Sequence, residues 1–596
     1  MRRLNSRVAA AAGLVVLAVA VWALLRGGSA GSGERWSDES FEYFFLDPYE
    51  PLFVEKTDNA GGVYYTGRKH PELGNRRFSK EKEKGVFRVF ILGGSVANAF
   101  DSGREKPGFK DVLQDLLPDR RVEVVNTGLK SYNSPRVDRV HEEVSGYSPD
   151  LIVVMSVLNE VQPGLPPAWT ARVTKRLGGG TLLGRAWRKV LVMAYRSDRH
   201  GSRKTIESRF RKHLLRMVRR SKERGVPMVL CTLPLNLRDM PPGPVLPLDI
   251  PDFLEGRILM EQKRFQMAAR AFERHLAEDQ GEAMGHYYLA RCLEHLGRYG
   301  EAKRHYLQAH ETSSPVPQLN ESVLRRVARA EGVALADLER AFESASPHGL
   351  TGRNLIEDSV HWFRYADPLV SVTIARRLPD ALTGTPLRME RLESHEAAVL
   401  GRLGSAKPSM REAWNVFRFW MWYPLWNKRP VFSERVMSVL GTIHEGDPEL
   451  LMKSHALRQW LKGEFSKNAW ERDAAGKLDG WWPLLLAHVG EFYRRRGEFC
   501  LSIQYYRKAL RRMPELHGLR LWKAVAHLQE GDRKLANEER GSARLSAAED
   551  EVWKAYLRGW EAPSGERKAC VLDDSGLTRK MEEGRTALTR TAETTY

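Results

Sequence analysis

Cysteine is scarce in this chain, and its spacing excludes several kinds of site. Only four cysteines occur among 596 residues, and no two of them form a CxxC pair. Neither a zinc knuckle nor a disulfide framework is therefore indicated. A zinc-protease motif is also missing, because His141-Glu142-Glu143 is not completed by the second histidine of HExxH. We expect no metal and no cofactor, and we expect Cys231 and Cys292, which lie in apolar patterns, to be small core residues.

The chain also lacks a basic motif flanked by aromatic residues, although its formal net charge is +19. Lysine and arginine are interleaved with aspartate and glutamate, a pattern typical of solvated helix faces. Net charge without such a motif is a weak indication of nucleic-acid binding, so we predict no nucleic-acid partner. A chain of 596 residues is too long for one hydrophobic core, and about three or four domains are expected.

An apolar run occupies the extreme N-terminus. Val8–Leu25 holds 18 uncharged residues behind Arg2, Arg3 and Arg7, which is about the minimum length for a transmembrane helix. A cleaved signal peptide has a shorter apolar core, of about 7–15 residues, so an uncleaved signal anchor is favoured. The positive-inside rule then predicts a single-pass protein of the bacterial inner membrane, with the membrane contacted through residues 8–25 and the bulk of the chain in the periplasm. Cleavage after Gly28-Ser29-Ala30, followed by export, is the alternative.

From Val86 the chain alternates short apolar runs with amphipathic helical patterns. This alternation predicts an α/β fold with a parallel sheet that is covered by helices on both faces. The preceding stretch, 36–85, is rich in aromatic residues and is predicted to be irregular. The predicted strands are Phe87–Leu92, Val122–Asn126, Leu151–Ser156 and Pro227–Thr232, and the helical patterns include Lys110–Leu117 and Ser208–Arg224.

A helical pattern with a 34-residue period begins near Asp249. Phe265 and Tyr299 are 34 residues apart, and Gly497 and Gly531 repeat that interval further along the chain. A period of this length is typical of tetratricopeptide (TPR) repeats, whose extended concave surfaces bind protein partners. An ordinary helical hairpin with chance periodicity is the alternative.

These patterns divide the chain into successive segments, in which a helical insertion separates two parts of one α/β domain. The predicted segments are an anchor and linker at 1–34, the first α/β part at 35–248, the helical insertion at 249–314, the second α/β part at 315–384, a helical repeat domain at 385–562 and a polar tail at 563–596.

Ser95 is a candidate nucleophile because it ends an apolar strand pattern at a glycine turn, in Leu92-Gly93-Gly94-Ser95. Open α/β sheets bind their ligands at such strand ends. A serine nucleophile needs a base and a group that orients that base. His361 is the candidate base and Asp358, three residues earlier, is the candidate orienting group. Taken alone, this DxxH pattern is common by chance and more typical of a surface aspartate near a core histidine.

Two further strand ends offer hydrogen-bond donors for an oxyanion. Gly128 follows the second predicted strand, and Asn159 follows the third. The carboxyl ends of parallel strands meet at one edge of a sheet. The backbone N–H groups of Ser95 and Gly128 and the side-chain amide of Asn159 are therefore predicted to form an oxyanion hole.

The ordered set of Ser95, Gly128, Asn159 and the Asp358/His361 pair resembles the SGNH (GDSL-like) hydrolase superfamily. Within it the likeness is to bacterial members fused to TPR repeats, and it extends over roughly residues 40–245 and 315–380. The resemblance implies a flavodoxin-like three-layer sheet with inserted and C-terminal TPR-like helices. This sequence departs from the family pattern where Gly94 replaces the aspartate of GDS, Val157 replaces a glycine of the third block, and Trp362 replaces proline after the histidine.

The resemblance implies a serine esterase that acts on acyl esters, O-acetyl esters among them, carried by a small molecule or a glycan. Water as the acyl acceptor gives hydrolysis, whereas a sugar hydroxyl gives O-acyl transfer to cell-envelope glycans. The alternative is a catalytically inactive SGNH scaffold that serves as an interaction platform through its repeats.

Overall fold

The computed structural model describes two stretches of the chain. The first is 50–403 without 60–61, 68–75, 101–106, 162–167, 178–180, 182, 185, 189, 192–201, 243–249, 262 and 312–313, and the second comprises 490, 493–494, 497–512, 517–543, 553–554 and 557. The predicted anchor, linker and polar tail lie outside these residues. Within them, no helix combines the length and the apolar character that crossing a bilayer requires.

Eight strands occur among the described residues. They are β1 (Phe53–Thr57), β2 (Val63–Gly67), β3 (Arg77–Ser79), β4 (Val86–Gly93), β5 (Arg121–Asn126), β6 (Leu151–Met155), β7 (Met228–Cys231) and β8 (Ala334–Ala336).

Helices connect and follow these strands. They are α1 (Ser95–Ala99), α2 (Phe109–Leu116), α3 (Ser134–Val144), α4 (Ala168–Leu177), α5 (Arg203–Glu223), α6 (Pro251–Glu261), α7 (Phe265–Glu278), α8 (Ala283–His295), α9 (Tyr299–Glu311), α10 (Val316–Leu319), α11 (Arg326–Glu331), α12 (Leu338–Ser344), α13 (Asp367–Ala375), α14 (Leu378–Ala381), α15 (Met389–Leu403), α16 (Phe499–Arg512), α17 (His517–Gln529) and α18 (Arg533–Gly541).

The larger sheet is parallel throughout, with the strand order β5-β4-β6-β7-β8. This is the 2-1-3-4-5 order of flavodoxin-like sheets, as the resemblance implies. The four predicted strands are confirmed within a residue or so at each end. The fifth strand, Ala334–Ala336, was not predicted, because three residues with two alanines do not form a recognisable apolar run.

Helices cover this sheet on both faces. Every residue of β4, β6 and β7 is buried, as expected of strands with no solvated face. Helix α5 packs against α3, and α13 packs against α2. The chain passes from β4 to β5 on one side and then returns to β6 on the other side of β4. Because both crossovers are right-handed, their helices α2 and α3 lie on opposite faces of the sheet. The result is the three-layer α/β architecture that the alternation predicts.

The prediction that the aromatic-rich stretch before β4 is irregular was wrong for its described part. Strands β1, β2 and β3 form an antiparallel three-stranded sheet. Phe53 and Phe78 of this sheet, together with Phe90 of β4, surround Tyr147 in a cluster of edge-to-face and tilted rings. These contacts explain why aromatic side chains are concentrated in this part of the sequence.

The chain divides into two compact units that alternate along the sequence. Among the described residues, the first unit holds the chain as far as Pro234, then Pro315–Ala341, and then Ala366 onward to 403. The second unit holds Leu235–Ser314, Phe342–Tyr365 and the described residues from 490. The five-stranded sheet therefore lies in the first unit, and the loop with Asp358 and His361 lies in the second.

Among the described residues of the second unit, helical pairs recur at a fixed interval. Helices α7 and α9 start 34 residues apart, at Phe265 and Tyr299, and α16 and α18 start 34 residues apart, at Phe499 and Arg533. The predicted helical segments are thus present where the structure describes them. Their assignment as TPR repeats stays a prediction.

The same turn precedes each of these four helices. In each turn two successive backbone N–H groups close back onto the preceding helix, which is the Schellman pattern. The pattern needs a residue with a left-handed backbone, and Gly297, Gly497 and Gly531 supply it with φ of 76°, 79° and 92°. Lys263 holds the equivalent position with φ of 59°, although it carries a side chain.

Candidate active site

The turn between β4 and α1 holds Ser95 at the carboxyl end of β4, where the sequence places it. The turn is tight because Gly93 lacks a side chain. A Cβ at Gly93 would lie 2.0 Å from the backbone oxygen of Met155 and 2.8 Å from the Cβ of Ala97. Glycine is required here because backbone from the next strand and the following helix occupy the space of a side chain.

Gly94 brings the nucleophile turn into contact with Asn159. A Cβ at Gly94 would lie 2.5 Å from Asn159 Nδ2 and 3.1 Å from the carbonyl oxygen of Tyr132. Asn159 Nδ2 itself donates a hydrogen bond to that carbonyl at 3.1 Å. One amide hydrogen thus fixes the side chain, and the amide group carries a second hydrogen for another acceptor. The structure therefore brings two predicted site residues, Ser95 and Asn159, to one turn.

Gly128 approaches the same turn through its backbone. A Cβ at Gly128 would lie 2.3 Å from the backbone nitrogen of Asn98 in α1, and the Gly128 carbonyl accepts a hydrogen bond from Asn98 Nδ2 at 3.0 Å. The Gly128 N–H donates to Asn126 Oδ1 at 2.9 Å. The predicted role of this N–H in an oxyanion hole therefore requires the bond to Asn126 to be shared or broken.

Asn126 supports the nucleophile turn, a role that the sequence did not reveal. It is buried at the end of β5, and its Nδ2 donates to the carbonyl oxygens of Ala97 at 2.7 Å and Phe100 at 2.8 Å. These carbonyls lie near the end of α1, where a helix leaves backbone acceptors without partners. One asparagine thus ties the short helix that begins at Ser95 to the neighbouring strand.

The Asp358/His361 pair lies in a short hairpin-like loop of the second unit. An antiparallel bridge joins Ile356 to Trp362, and the Glu357 N–H donates to the carbonyl oxygen of His361 at 2.8 Å. The loop closes on itself and holds the two side chains on one turn. Trp362, where proline is common in the family pattern, is therefore a strand-like residue of the loop.

Asp358 uses both carboxylate oxygens to hold His361. Its Oδ1 accepts the N–H groups of Val360 at 2.9 Å and His361 at 2.8 Å, and its Oδ2 lies 2.7 Å from His361 Nδ1. Burial alone would raise the pKa of Asp358, but the charge of His361 and these hydrogen bonds lower it below its ordinary value. When the imidazole is neutral, an ionised Asp358 keeps the ring proton on Nδ1, which leaves Nε2 as the acceptor nitrogen.

Asn236 fixes the backbone of this loop from another part of the second unit. Its Nδ2 donates to the carbonyl oxygen of Asp358 at 2.9 Å, and its N–H donates to that of Ser359 at 2.8 Å. Asn236 Oδ1 in turn accepts the N–H of Asp239 at 3.0 Å. Only the structure shows that this side chain positions the loop.

Glu160 is a fully buried carboxyl group directly after Asn159. Its two oxygens accept the Ser134 N–H at 2.6 Å and the Ser134 hydroxyl at 2.7 Å. Burial raises the pKa of Glu160 to about 7, although Ser134 and nearby arginines oppose the shift. Glu160 thereby ties the strand end that carries Asn159 to the start of α3, a role that no sequence pattern indicates.

The predicted residues thus form two groups. The structure brings Ser95, Gly128 and Asn159 together in the first unit and pairs Asp358 with His361 in the second. Cys231 and Cys292 are buried core residues, as predicted, and burial raises the pKa of both thiols. Over the described ranges, no group of three or more histidine, cysteine, aspartate or glutamate side chains is arranged to hold a metal ion.

Comparisons with known proteins give only distant likenesses. No protein-family model and no curated protein matches the chain. A GDSL-like lipase from Bacteroides thetaiotaomicron is similar over 51% of this chain and 93% of its own, with 10% identity and a TM-score of 0.25. A Bacteroides fragilis protein described as an acylhydrolase is similar over 51% of this chain and 91% of its own, with 13% identity and a TM-score of 0.23. Because these scores are low, the functional proposal depends on the chain's own side chains.

Proposed function

We propose that the protein is an SGNH-type serine esterase that acts on acyl esters, O-acetyl esters among them, outside the inner membrane. The observation that carries the proposal is the contact of 2.7 Å between Asp358 Oδ2 and His361 Nδ1. In serine hydrolases, a carboxylate in this position selects the histidine tautomer and stabilises the imidazolium that forms during catalysis. The contact of Gly94 with Asn159 supports the proposal from the side of the nucleophile.

In the proposed reaction, Ser95 Oγ attacks the ester carbonyl carbon while its proton passes to His361 Nε2. The carbonyl oxygen becomes an oxyanion, and the imidazolium then gives its proton to the departing alcohol as the acyl–oxygen bond breaks. Water attacks the resulting acyl-enzyme, with His361 again acting as base. The carboxylic acid leaves and Ser95 regains its proton, so atoms and charge balance over the cycle.

The oxyanion would be held by the second amide hydrogen of Asn159, by the Ser95 N–H and by the Gly128 N–H. Each such donor is worth about 2.7–4 kcal/mol in the transition state of acyl transfer. Asn159 is the best supported of the three, because its contact with Tyr132 fixes the amide beside the nucleophile turn. The bond from Gly128 to Asn126 makes Gly128 the weakest candidate.

Two other functions, an O-acyltransferase and an inactive scaffold, are the alternatives to the esterase. A sugar hydroxyl in place of water would make the protein an O-acyltransferase of cell-envelope glycans, by the same acyl-enzyme. The repeated helix starts and Schellman turns of the second unit favour a role in binding protein partners, which an inactive scaffold would also fulfil. The membrane anchor at residues 8–25 and the periplasmic location are part of the proposal.

The test is acetate release from O-acetylated glycans by the full chain and by three single variants, Ser95→Ala, His361→Ala and Asp358→Asn. We expect release by the native protein and a loss of about 1,000-fold or more in each variant, because members of a triad act as one unit. Transfer of the acetyl group to an added sugar, without free acetate, would identify the transferase. Native-fold protein that neither releases nor transfers acyl groups would support the scaffold.

A further inference from the structure

A basic pocket lies in the first unit, close to the turn that carries Asn159. It has a volume of about 650 Å³ and is lined by Pro135, at the start of α3, and by one side of α5 from Lys204 to His213. Cavities of about 300–1,000 Å³ are typical of sites for small ligands.

Three cationic side chains line the pocket, namely Lys204, Arg209 and Lys212. The helix that carries them has nine lysines and arginines against two glutamates. No acidic side chain of the described chain forms an ion pair with Lys204 or Lys212. Asp138, which contacts the lining residue His213 at 2.8 Å, is also engaged by two arginines of α5. The pocket therefore presents positive charge to whatever enters it.

Hydroxyl groups add directional hydrogen-bonding capacity to this charge. Thr205 and Ser208 line the pocket between the lysines, one turn of helix apart. A hydroxyl can donate to an anionic oxygen or pair with a sugar hydroxyl. Cations combined with hydroxyls suit a hydrated, negatively charged polar ligand and do not suit an apolar one.

One lining residue of the pocket, Arg209, contacts the turn that carries Asn159. An Arg209 Nη2–H donates to the backbone oxygen of Glu160 at 2.5 Å, and the Glu160 carboxyl group holds Ser134, which precedes the pocket residue Pro135. The loop that leads into Ser134 also supplies the Tyr132 carbonyl, which fixes the amide of Asn159. A ligand in the pocket would therefore lie beside the loop that positions Asn159, the proposed oxyanion donor.

We propose that this pocket is a subsite for an anionic group, a carboxylate or a sulfate ester, on the saccharide that carries the acyl ester. The substrate class is then an acidic O-acylated saccharide. The role of this subsite in catalysis rests on the proposed esterase function, whereas binding of the anionic group depends on the pocket alone.

Binding is tested in the Ser95→Ala background, so that no probe is turned over. The probes are a galacturonate hexamer, its fully methyl-esterified form and a chondroitin sulfate hexamer, titrated by calorimetry. The double variant Lys204→Gln/Lys212→Gln removes two charges from the pocket. Its matched control, Arg211→Gln/Arg219→Gln, removes two charges from exposed positions of the same helix outside the pocket.

We expect an anionic hexamer to bind, the esterified hexamer to bind at least about tenfold more weakly, and the pocket variant to lose about tenfold in affinity, which corresponds to about 1.4 kcal/mol. The control variant should lose less than about threefold. Raising the salt concentration from about 0.05 to about 0.5 M should weaken binding, because screening reduces the attraction.

Equal losses in the pocket and control variants would overturn the subsite, because they would show a nonspecific basic face. Binding only to phosphatidylglycerol vesicles, with none to either anionic hexamer, would also overturn it. Hydrolysis of p-nitrophenyl acetate by the otherwise native chain separates the two proposals. If that ester is hydrolysed and no anionic hexamer binds, the subsite fails alone; if the hexamer binds through the pocket and no ester is hydrolysed, the esterase fails alone.

Discussion

Replacing Gly94 with alanine tests whether Asn159 takes part in catalysis, since the added methyl group meets the amide of Asn159 first. The new Cβ would lie 2.5 Å from Asn159 Nδ2 and 3.1 Å from the carbonyl oxygen of Tyr132. The φ of Gly94 is −86°, within the range that L residues adopt, so alanine introduces no left-handed strain. The movable end of the Asn159 side chain therefore yields, and the fold survives.

The size of the effect follows from that displacement. Carbon–nitrogen contacts below about 3 Å are strongly repulsive, so Asn159 Nδ2 must move by at least about 0.5–1 Å, away from its bond to Tyr132. A misplacement of about 1 Å in a catalytic group can cost about 100-fold in rate, and complete loss of an oxyanion donor costs about 100- to 1,000-fold in kcat. We therefore expect kcat to fall about 100-fold in Gly94→Ala, with KM nearly unchanged.

The assay is steady-state hydrolysis of p-nitrophenyl acetate, with circular dichroism to confirm the fold. Gly146→Ala is the control, because its added Cβ meets only the carbonyl oxygen of Glu143, at 3.3 Å, and it should keep native activity. In the Asn159→Ala background, adding Gly94→Ala should lower kcat by less than about a further threefold, since the methyl group no longer displaces an amide. A folded Gly94→Ala variant with native kcat, or fully additive losses in the double variant, would refute this role for Asn159.

Three further predictions concern charge and backbone. Asp358→Asn should lower kcat by about 10⁴-fold, because it favours the wrong histidine tautomer. The folded-state pKa of Asp358 is lowered, so the native chain should be more stable than this variant above about pH 4. That difference in stability, measured by denaturant titration, should vanish as the pH falls through the lowered pKa. Glu160, whose pKa is raised to about 7, stabilises the fold at low pH and loses that contribution as the pH rises through 7. Glu160→Gln should therefore gain stability relative to the native chain between pH 5 and about 9, by up to about 3 kcal/mol. A difference in stability between the two chains that stays constant with pH would contradict the assignment. Lys263→Gly should raise the stability of the second unit by about 0.5–1 kcal/mol, measured as an increase in Tm, whereas a lower Tm would show that the left-handed turn is not strained.

The sheet was predictable from sequence where its strands are continuous apolar runs. Strand β4, Val86–Gly93, is buried on both faces, so its residues are uniformly apolar apart from Arg88 and Gly93. The edge strand Ala334–Ala336 carries no such signal. The aromatic sheet of β1–β3 was missed because its rings pack against Tyr147, far away in sequence, and no local period records that contact.

In the candidate site, the sequence marks only the residues that are proposed to carry out the chemistry. Ser95, Asn159 and His361 lie at sequence positions that a motif can mark. Their supports lie elsewhere: Asn236 reaches Asp358 across 122 residues. Such hydrogen bonds depend on tertiary folding, and an isolated asparagine in the sequence gives no sign of its partner. The bond from Gly128 to Asn126 is local, yet the sequence prediction of an open N–H overlooked it.

The measurement that bears most directly on the central claim is covalent labelling by a fluorophosphonate probe, with the labelled residue mapped by mass spectrometry. The proposed reaction predicts one phosphonylated serine, Ser95, in the native chain. It also predicts no adduct in Ser95→Ala and a labelling rate lower by about 1,000-fold or more in His361→Ala, because the hydroxyl is activated by that histidine. Folded native protein that stays unlabelled, or labelling that persists unchanged in His361→Ala, would contradict the account.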